Sequence, residues 1–241
     1  MKKINGFDIG LLLVMFSIFF LFRFANARND RQEIQDIQVK FIGNENHFLT
    51  QEMVNNLLKQ NFANPSVINR EALNLKDYER KLDINRWVAH SEVYVDISGN
   101  LHAEVEQKKA LARVIDNGMS YYVSMEGDTM PLSANFSPRV PLVTGILDEN
   151  NHQDFIELLR KITEDEFLKE MITGIQINPD QTLNLTSRAH RAKIEFGQMK
   201  EMDRKLTNYK VFMHYAKNDS IMQQYKNINL RFTKQVICTK Q

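Results

Sequence analysis

The clearest structural signal in this chain lies at residues 93–106, which read Val93-Tyr94-Val95-Asp96-Ile97-Ser98-Gly99-Asn100-Leu101-His102-Ala103-Glu104-Val105-Glu106. Apolar side chains occupy every second position on either side of Gly99-Asn100. Such alternation predicts two strands that share one buried face, and a Gly-Asn pair predicts a two-residue turn between them. The sequence therefore predicts a β-hairpin with a polar outer face.

The segment before this hairpin predicts one strand and two helices. Residues 37–41 alternate apolar and polar side chains up to Gly43, which indicates a short strand. Thr50 is a suitable N-cap for a helix, and a second helix is predicted to start near Asn74. Together with the hairpin, residues 36–108 are predicted to form a β-α-α-β-β module.

Short strands dominate residues 109–241, with helices between them. The predicted strands cover residues 111–116, 120–125, 140–144, 175–177, 183–185 and 192–196, and the predicted helices cover residues 154–162 and 206–215. The whole pattern predicts an α+β protein, in which a mixed β domain with flanking helices follows the β-α-α-β-β module.

A last strand is predicted from alternation near the C-terminus. Ile228, Leu230 and Phe232 alternate with polar side chains, and Val236 keeps the same parity. In a strand over residues 229–236, one face would carry Leu230, Phe232, Lys234 and Val236. The other face would carry Asn229, Arg231, Thr233 and Gln235.

The N-terminus predicts that the rest of the chain is exported. Lys2-Lys3 precedes an apolar run at residues 9–22, and a membrane-spanning helix needs about 20 mainly apolar residues. One interpretation is a cytoplasmic tail, a transmembrane anchor and a linker, at residues 1–8, 9–27 and 28–35. The other is a cleaved signal peptide, because Ala25-Asn26-Ala27 fits the small-residue pattern of a cleavage site.

Composition excludes several classes of protein. The chain has 241 residues, of which 43% are hydrophobic and 25% are charged, so it has enough apolar residues for a core. The formal net charge of +1 gives no strong field that would attract nucleic acid. The single cysteine, Cys238, cannot form an internal disulfide or a cysteine zinc cluster.

No catalytic or metal-binding motif stands out in the sequence. The six histidines lack the spacing of a zinc-binding helix, and no nucleophile elbow or P-loop is present. Cys238 lies too close to the C-terminus for a built pocket. His102 and the pair Glu104 and Glu106 occupy the polar face of the hairpin, where solvated side chains are expected. These observations favour protein binding over catalysis.

Three stretches resemble motifs of the FtsQ/DivIB family of bacterial cell-division proteins. They are Tyr121-Tyr122-Val123-Ser124-Met125-Glu126-Gly127-Asp128-Thr129-Met130-Pro131-Leu132, Val140-Pro141-Leu142-Val143-Thr144-Gly145 and Tyr225-Lys226-Asn227-Ile228-Asn229-Leu230-Arg231-Phe232. Their order after an apolar span and a β-α-α-β-β block is similar to the family's. The chain departs from the family at Lys109-Ala110-Leu111-Ala112, where many members have Pro-x-Ala, and at Ser124 and Asn229, where Asp is usual.

The resemblance implies a single-pass, type II protein of the inner membrane at the division site, with its C-terminal part in the periplasm. Residues 36–108 would be a POTRA domain that helps recruitment and contacts other division proteins. Residues 109–241 would be the β domain, which binds an FtsB/FtsL coiled coil by adding a partner strand to its last strands. The resemblance implies no enzyme activity, cofactor, metal, nucleic acid or small-molecule substrate.

The predicted partner-binding residues lie on the last strand: Leu230, Arg231, Phe232, Thr233, Lys234 and Val236. Unpaired backbone groups of an edge strand would bind the partner strand, and Phe232 would anchor it. The competing interpretation is that Leu230, Phe232 and Val236 only fill the core. Two other functions stay open, a signal-cleaved periplasmic enzyme such as a cell-wall hydrolase and a different POTRA-bearing protein.

Overall fold

The computed structural model describes residues 6–29, 36–43, 48–60, 74–116, 118–216 and 220–240. The chain divides into two compact units. The first contains residues 1–43 and 49–107, and the second contains residues 44–48 and 108–241. Each unit has its own cluster of buried apolar side chains.

The first helix, α1, spans Gly6–Asn29. Gly10 and residues 13–24 of this helix are exposed. Within the described part of the chain, no helix has both the length and the apolar character that crossing a membrane requires.

The rest of the first unit follows the predicted β-α-α-β-β order. Its elements are β1 (Ile37–Ile42), α2 (Gln51–Lys59), α3 (Leu75–Asp83), β2 (Val88–Val95) and β3 (Leu101–Gln107). The strands form a sheet in the order β1-β3-β2, with β1 parallel and β2 antiparallel to β3. Thr50 caps α2 as predicted, because its side chain accepts a hydrogen bond from the Met53 N–H at 3.2 Å.

The alternation of β3 accounts for the core of the first unit. Leu101, Ala103 and Val105 are fully buried, and they pack with apolar side chains of both helices, such as Val54 and Leu82. The polar residues between them lie on the opposite face of the sheet. The one-sided burial predicted for the hairpin is therefore confirmed for β3.

The turn of this hairpin differs from the prediction. β2 ends at Val95, so residues 96–100 form the turn, and Ile97 is 91% exposed instead of buried. The Asp96 carboxylate accepts hydrogen bonds from the N–H groups of Ser98 and Asn100, at 2.8 and 2.9 Å. A short acidic side chain that binds the following N–H groups favours a turn over a continued strand, which explains the earlier end of β2.

The second unit contains one large mixed sheet. Its strands are β4 (Ala110–Asp116), β5 (Met119–Ser124), β6 (Thr129–Met130), β7 (Leu142–Thr144), β8 (Ile172–Ile177), β9 (Leu183–Ser187), β10 (Lys193–Gly197), β11 (Tyr225–Asn229) and β12 (Ile237–Lys240). They lie in the order β12-β11-β10-β9-β8-β7-β4-β5-β6. Three neighbouring pairs are parallel, β4 with β7, β7 with β8 and β10 with β11, and the other pairs are antiparallel.

Three helices cover this sheet: α4 (His152–Glu164), α5 (Glu166–Met171) and α6 (Met202–Ala216). The predicted apolar stripe of α4, with Phe155, Leu158 and Ile162, is buried in the same cluster as the inward side chains of the strands. Asp165 ends α4 and caps α5, because it accepts the Leu168 N–H at 3.0 Å. The α+β class with a large mixed sheet is therefore confirmed.

The predicted C-terminal strand over residues 229–236 is wrong. The extended chain ends at Asn229, residues 230–236 form a loop, and the next strand is β12. The Leu230 N–H still donates to the Glu195 carbonyl of β10 at 2.9 Å, and the Leu230 side chain is only 1% exposed. The Asn229 side chain then accepts the Arg231 N–H at 2.9 Å, a local hydrogen bond that favours a turn over a continued strand. The two alternating faces predicted for Leu230–Val236 therefore do not exist.

Candidate protein-binding edge

The sheet of the second unit ends in an unpaired edge at β12. β12 pairs in antiparallel fashion with β11, in a register that places Ile237 opposite Asn229 and Cys238 opposite Ile228. Within the described residues, no strand pairs with the other side of β12. We call β12 and the preceding loop over residues 230–236 the β12 edge. Its open backbone groups are a template for another strand.

The loop of the β12 edge is held to the core at both ends. Leu230 belongs to the buried cluster of the second unit, and the half-buried Val236 packs against that cluster. Between them, the Thr233 carbonyl accepts a hydrogen bond from Asn208 Nδ2 of α6, at 3.0 Å. These contacts fix the loop beside α6 without a strand.

Four side chains of this loop are exposed, Arg231, Phe232, Lys234 and Gln235. Phe232 is 51% exposed, although the loop is fixed to the core on both sides of it. Arg231 Nη2 lies 3.7 Å from Glu195 Oε2, and a solvent-accessible pair at this distance contributes little to stability. The four side chains are therefore available to a partner.

The path of Arg231 depends on Gly197 at the end of β10. Gly197 has φ of +77°, and a Cβ atom at this position would lie 2.8 Å from Arg231 Cγ. A side chain would therefore be strained by its own backbone and would also displace Arg231. This glycine lets the loop pass close to β10.

A buried lysine stabilises the same region. Lys205 of α6 is 4% exposed, and its Nζ donates to the carbonyls of Phe196 at 3.0 Å and Gln198 at 2.7 Å. Burial lowers the pKa of Lys205, and the nearby Glu201 carboxylate partly opposes this effect. Because its ammonium group satisfies one carbonyl of β10 and one directly after β10, Lys205 fixes the backbone around Gly197.

The β12 edge is basic. Residues 230–240 contain no Asp or Glu, whereas they contain Arg231, Lys234 and Lys240, and Lys226 lies on the neighbouring β11. All four side chains are exposed. An incoming segment with acidic residues would therefore be favoured over a basic one.

The single cysteine, Cys238, lies on β12 and is not activated as a nucleophile. Burial raises the pKa of the Cys238 thiol, so the reactive thiolate is disfavoured. Among the described residues, no group of three His, Cys, Asp or Glu side chains could hold a metal ion.

His102 lies in the first unit. It was expected to be solvated, but its ring stacks on Tyr94 with 5.1 Å between the ring centroids, and its Nε2 lies 2.9 Å from Asp96 Oδ2.

The structure brings five of the six predicted binding residues together on one loop and places Leu230 in the core. The competing interpretation of core filling is therefore confirmed for Leu230. The sequence analysis missed β12 itself. Its signal was the β-branched pair Ile237 and Thr239 at alternate positions, in a segment too short and too close to the C-terminus to stand out.

Comparison with known proteins identifies the family. A family model described as "FtsQ/DivIB, C-terminal related" matches residues 109–239, more than half of the chain. The chain therefore belongs to the FtsQ/DivIB family, and the resemblance seen in the sequence is confirmed. This is a non-enzymatic family of cell-division proteins that interact with other division proteins.

A solved structure also shows similarity. It is the major extracytoplasmic domain of the trans isomer of the bacterial cell division protein DivIB from Geobacillus stearothermophilus. The match has 13% sequence identity and a TM-score of 0.33, and it covers 46% of this chain and 96% of that chain. No curated protein sequence matches this chain.

Proposed function

We propose that this protein is a scaffold of the bacterial division machinery, and that it binds an FtsB/FtsL-like partner by adding a partner strand to β12. The observation that carries the proposal is the unpaired outer side of Ile237–Lys240. Strand addition takes affinity from main-chain hydrogen bonds and specificity from side chains beside them. The exposed Phe232 would anchor an apolar side chain, and the basic residues would select an acidic segment.

Site-specific photo-cross-linking in growing cells tests the binding mode. A photoreactive residue replaces Thr239 on β12, and the matched control replaces Thr186, which is exposed on β9, a strand that is paired on both sides in the same sheet. We expect a cross-link to the FtsB-like or FtsL-like protein from position 239 and none from position 186. Equal cross-linking from both positions, or cross-linking from position 186 alone, would contradict strand addition at β12.

The role in division is tested separately by depletion. A scaffold that links early and late division proteins is required for septation, so depleted cells should grow into filaments. Normal septa in depleted cells would contradict the scaffold role, whatever the cross-linking shows.

We also propose that residues 9–27 anchor the protein in the inner membrane, with residues 28–241 in the periplasm. The apolar run at residues 9–22 and the preceding Lys2-Lys3 support this topology. Mass spectrometry of the protein isolated from cell membranes tests it, with an uncleaved N-terminus expected. A mature chain that begins at Arg28 would show signal cleavage instead.

Residues 36–108 are proposed to act as a POTRA domain that recruits the protein to the septum. The β-α-α-β-β order of this unit supports the assignment. A fluorescent fusion that lacks residues 36–43 and 49–107, and so keeps residues 44–48 of the second unit, should lose its position at mid-cell and keep its binding to the FtsB-like partner. Retention at mid-cell would place recruitment elsewhere.

A further inference from the structure

A cavity of about 200 Å³ opens in the second unit, away from the β12 edge in the order of strands. It lies where the parallel strands β4, β7 and β8 end, and its lining includes Asp116, Gly145 and Ile177 from these ends. In open sheets, the crevice at the carboxyl ends of parallel strands is the usual place for a ligand. The position of this cavity therefore suggests a binding role.

The cavity runs from the surface into the core. Val143, Phe155 and Ile177 form its inner wall and are at most 5% exposed, whereas Ile146 at the mouth is 72% exposed. Gly145 at the end of β7 has φ of +98°, and a Cβ atom there would lie 2.2 Å from the Ile177 carbonyl oxygen, so only glycine fits this part of the lining. An apolar group that enters would thus meet an apolar surface that is already formed.

The volume of the cavity limits what it can hold. A dry apolar cavity of about 150 Å³ accommodates benzene, whereas sites for cofactors and drug-sized molecules are about 300–1,000 Å³. At about 200 Å³ this cavity fits a single large apolar side chain, such as a phenylalanine ring. A peptide side chain is therefore a better occupant than a free cofactor.

The charge at the mouth defines the rest of the ligand. Asp116, Asp148 and Glu149 line the cavity, and no Lys or Arg is among its described lining residues. Within the described chain, none of the three carboxylates forms an ion pair. A segment with Lys or Arg beside its apolar anchor would satisfy this negative rim.

We propose that this cavity is a second protein-binding site, which takes one large apolar side chain from a basic peptide segment of another protein. The site differs from the β12 edge in both respects that decide recognition. It binds a side chain instead of a strand, and its rim is acidic where the β12 edge is basic. One chain would thus hold two partners of opposite charge.

Methyl NMR on the full-length protein in detergent micelles tests the proposal. The probe is an acetylated and amidated peptide of sequence Gly-Lys-Phe-Arg-Gly. Saturable shifts of the Val143 and Ile156 methyl groups are expected, and alanine in place of the probe's phenylalanine should weaken binding about tenfold or more. Raising the salt from about 0.01 M to about 0.15 M should weaken binding of the probe, because the Debye length falls from about 30 to about 8 Å.

Two variants test separately how much the apolar cavity and its acidic rim contribute to binding. Ile156→Phe should fill the cavity and abolish binding, while a melting curve confirms that the unit stays folded. Asp116→Asn combined with Glu149→Gln leaves the cavity open and should weaken binding of the probe about threefold to tenfold. This variant tests the proposal even if Ile156→Phe does not fold. The matched control is Glu170→Gln, which changes an exposed acid of α5 that does not line the cavity.

Three outcomes would overturn the proposal. They are equal binding of the alanine peptide, absence of methyl shifts with the probe, and shifts that grow with protein concentration alone. The last would mean that a second copy of this chain occupies the cavity. None of these results bears on cross-linking at Thr239, so the two proposals succeed or fail independently.

Discussion

Leu230 and Phe232 are two residues apart in sequence, yet the structure predicts opposite consequences for their substitution. Leu230 is 1% exposed inside the core cluster, and Phe232 is 51% exposed on the loop. Large-to-small changes at buried leucines cost about 2–5 kcal/mol. We therefore expect Leu230→Ala to lower the free energy of unfolding by about 3 kcal/mol.

The expected cost of Phe232→Ala is smaller. Complete burial of a phenylalanine side chain is worth about 1.5–3 kcal/mol, and about half of Phe232 is already exposed. The loss should be about 1 kcal/mol. For a unit of this size, each 1 kcal/mol corresponds to roughly 3–4 °C in melting temperature. The expected decreases are thus about 10 °C for Leu230→Ala and about 3 °C for Phe232→Ala.

Binding should rank the two variants in the reverse order. If Phe232 anchors the partner strand, Phe232→Ala should weaken partner binding by at least about tenfold, as loss of an aromatic anchor does. Leu230→Ala should change the affinity of the folded fraction much less. The assays are urea unfolding and calorimetric titration with the periplasmic part of the FtsB/FtsL-like pair, with Lys234→Ala as a neighbouring control for stability.

The reasoning is refuted if the two variants are equally unstable, because Phe232 would then belong to the core. It is also refuted if Phe232→Ala binds the partner with wild-type affinity while the protein stays folded. In that case the exposed ring would serve no purpose at the β12 edge.

Three further predictions concern the support of this edge and the helices beside it. Gly197→Ala should lower the free energy of unfolding by about 1–3 kcal/mol in urea melts, and adding Arg231→Ala should recover only the part that comes from the side-chain clash. Lys205→Met should cost about 1–3 kcal/mol by the same measurement, because the buried Phe196 carbonyl and the partly buried Gln198 carbonyl lose their donor; an unchanged melt would mean that water replaces the ammonium group. Burial tends to raise the pKa of Asp165, but hydrogen bonds from Lys210 and the backbone lower it overall. A carboxyl group whose pKa is lower in the folded than in the unfolded state stabilises the fold above its unfolded-state pKa, near 4, and this stabilisation is lost as the pH falls. Lys210→Met should therefore lower the free energy of unfolding at neutral pH, and the difference from wild type should shrink as the pH falls below about 4.

Alternation predicted the strands well wherever one face of the sheet is buried. β3 is the clearest case, because Leu101, Ala103 and Val105 point into one core and their polar neighbours do not. The stripe of α4 was equally visible. These elements are predictable because a local repeat and a tertiary requirement, burial on one side, coincide in them.

The C-terminal loop shows why the same rule fails elsewhere. Leu230, Phe232 and Val236 alternate as a strand would, but the Asn229 side chain accepts the Arg231 N–H and the loop then follows α6 through Asn208. The contact with Asn208 joins residues far apart in sequence. The apolar repeat within residues 229–236 encodes neither contact, so the strand was placed too early and β12 was missed.

The acidic cavity lies beyond sequence analysis for a related reason. Asp116 and Glu149 belong to different elements, and only the parallel pairing of β4 with β7 places them at one opening. Nothing in the local pattern of either segment distinguishes these carboxylates from ordinary exposed acids. They acquire their proposed role only because the fold forms an apolar cavity between them.

The two ends of the nine-stranded sheet are unequal, and this limits what can assemble. β6 has only two residues, so it offers too short a row of backbone groups for a stable foreign strand. β12 is longer, but two copies that met through it would bring their lysines and arginines together and repel each other. Growth of the sheet should therefore stop after a single acidic strand has joined, which would give a one-to-one complex instead of a fibre.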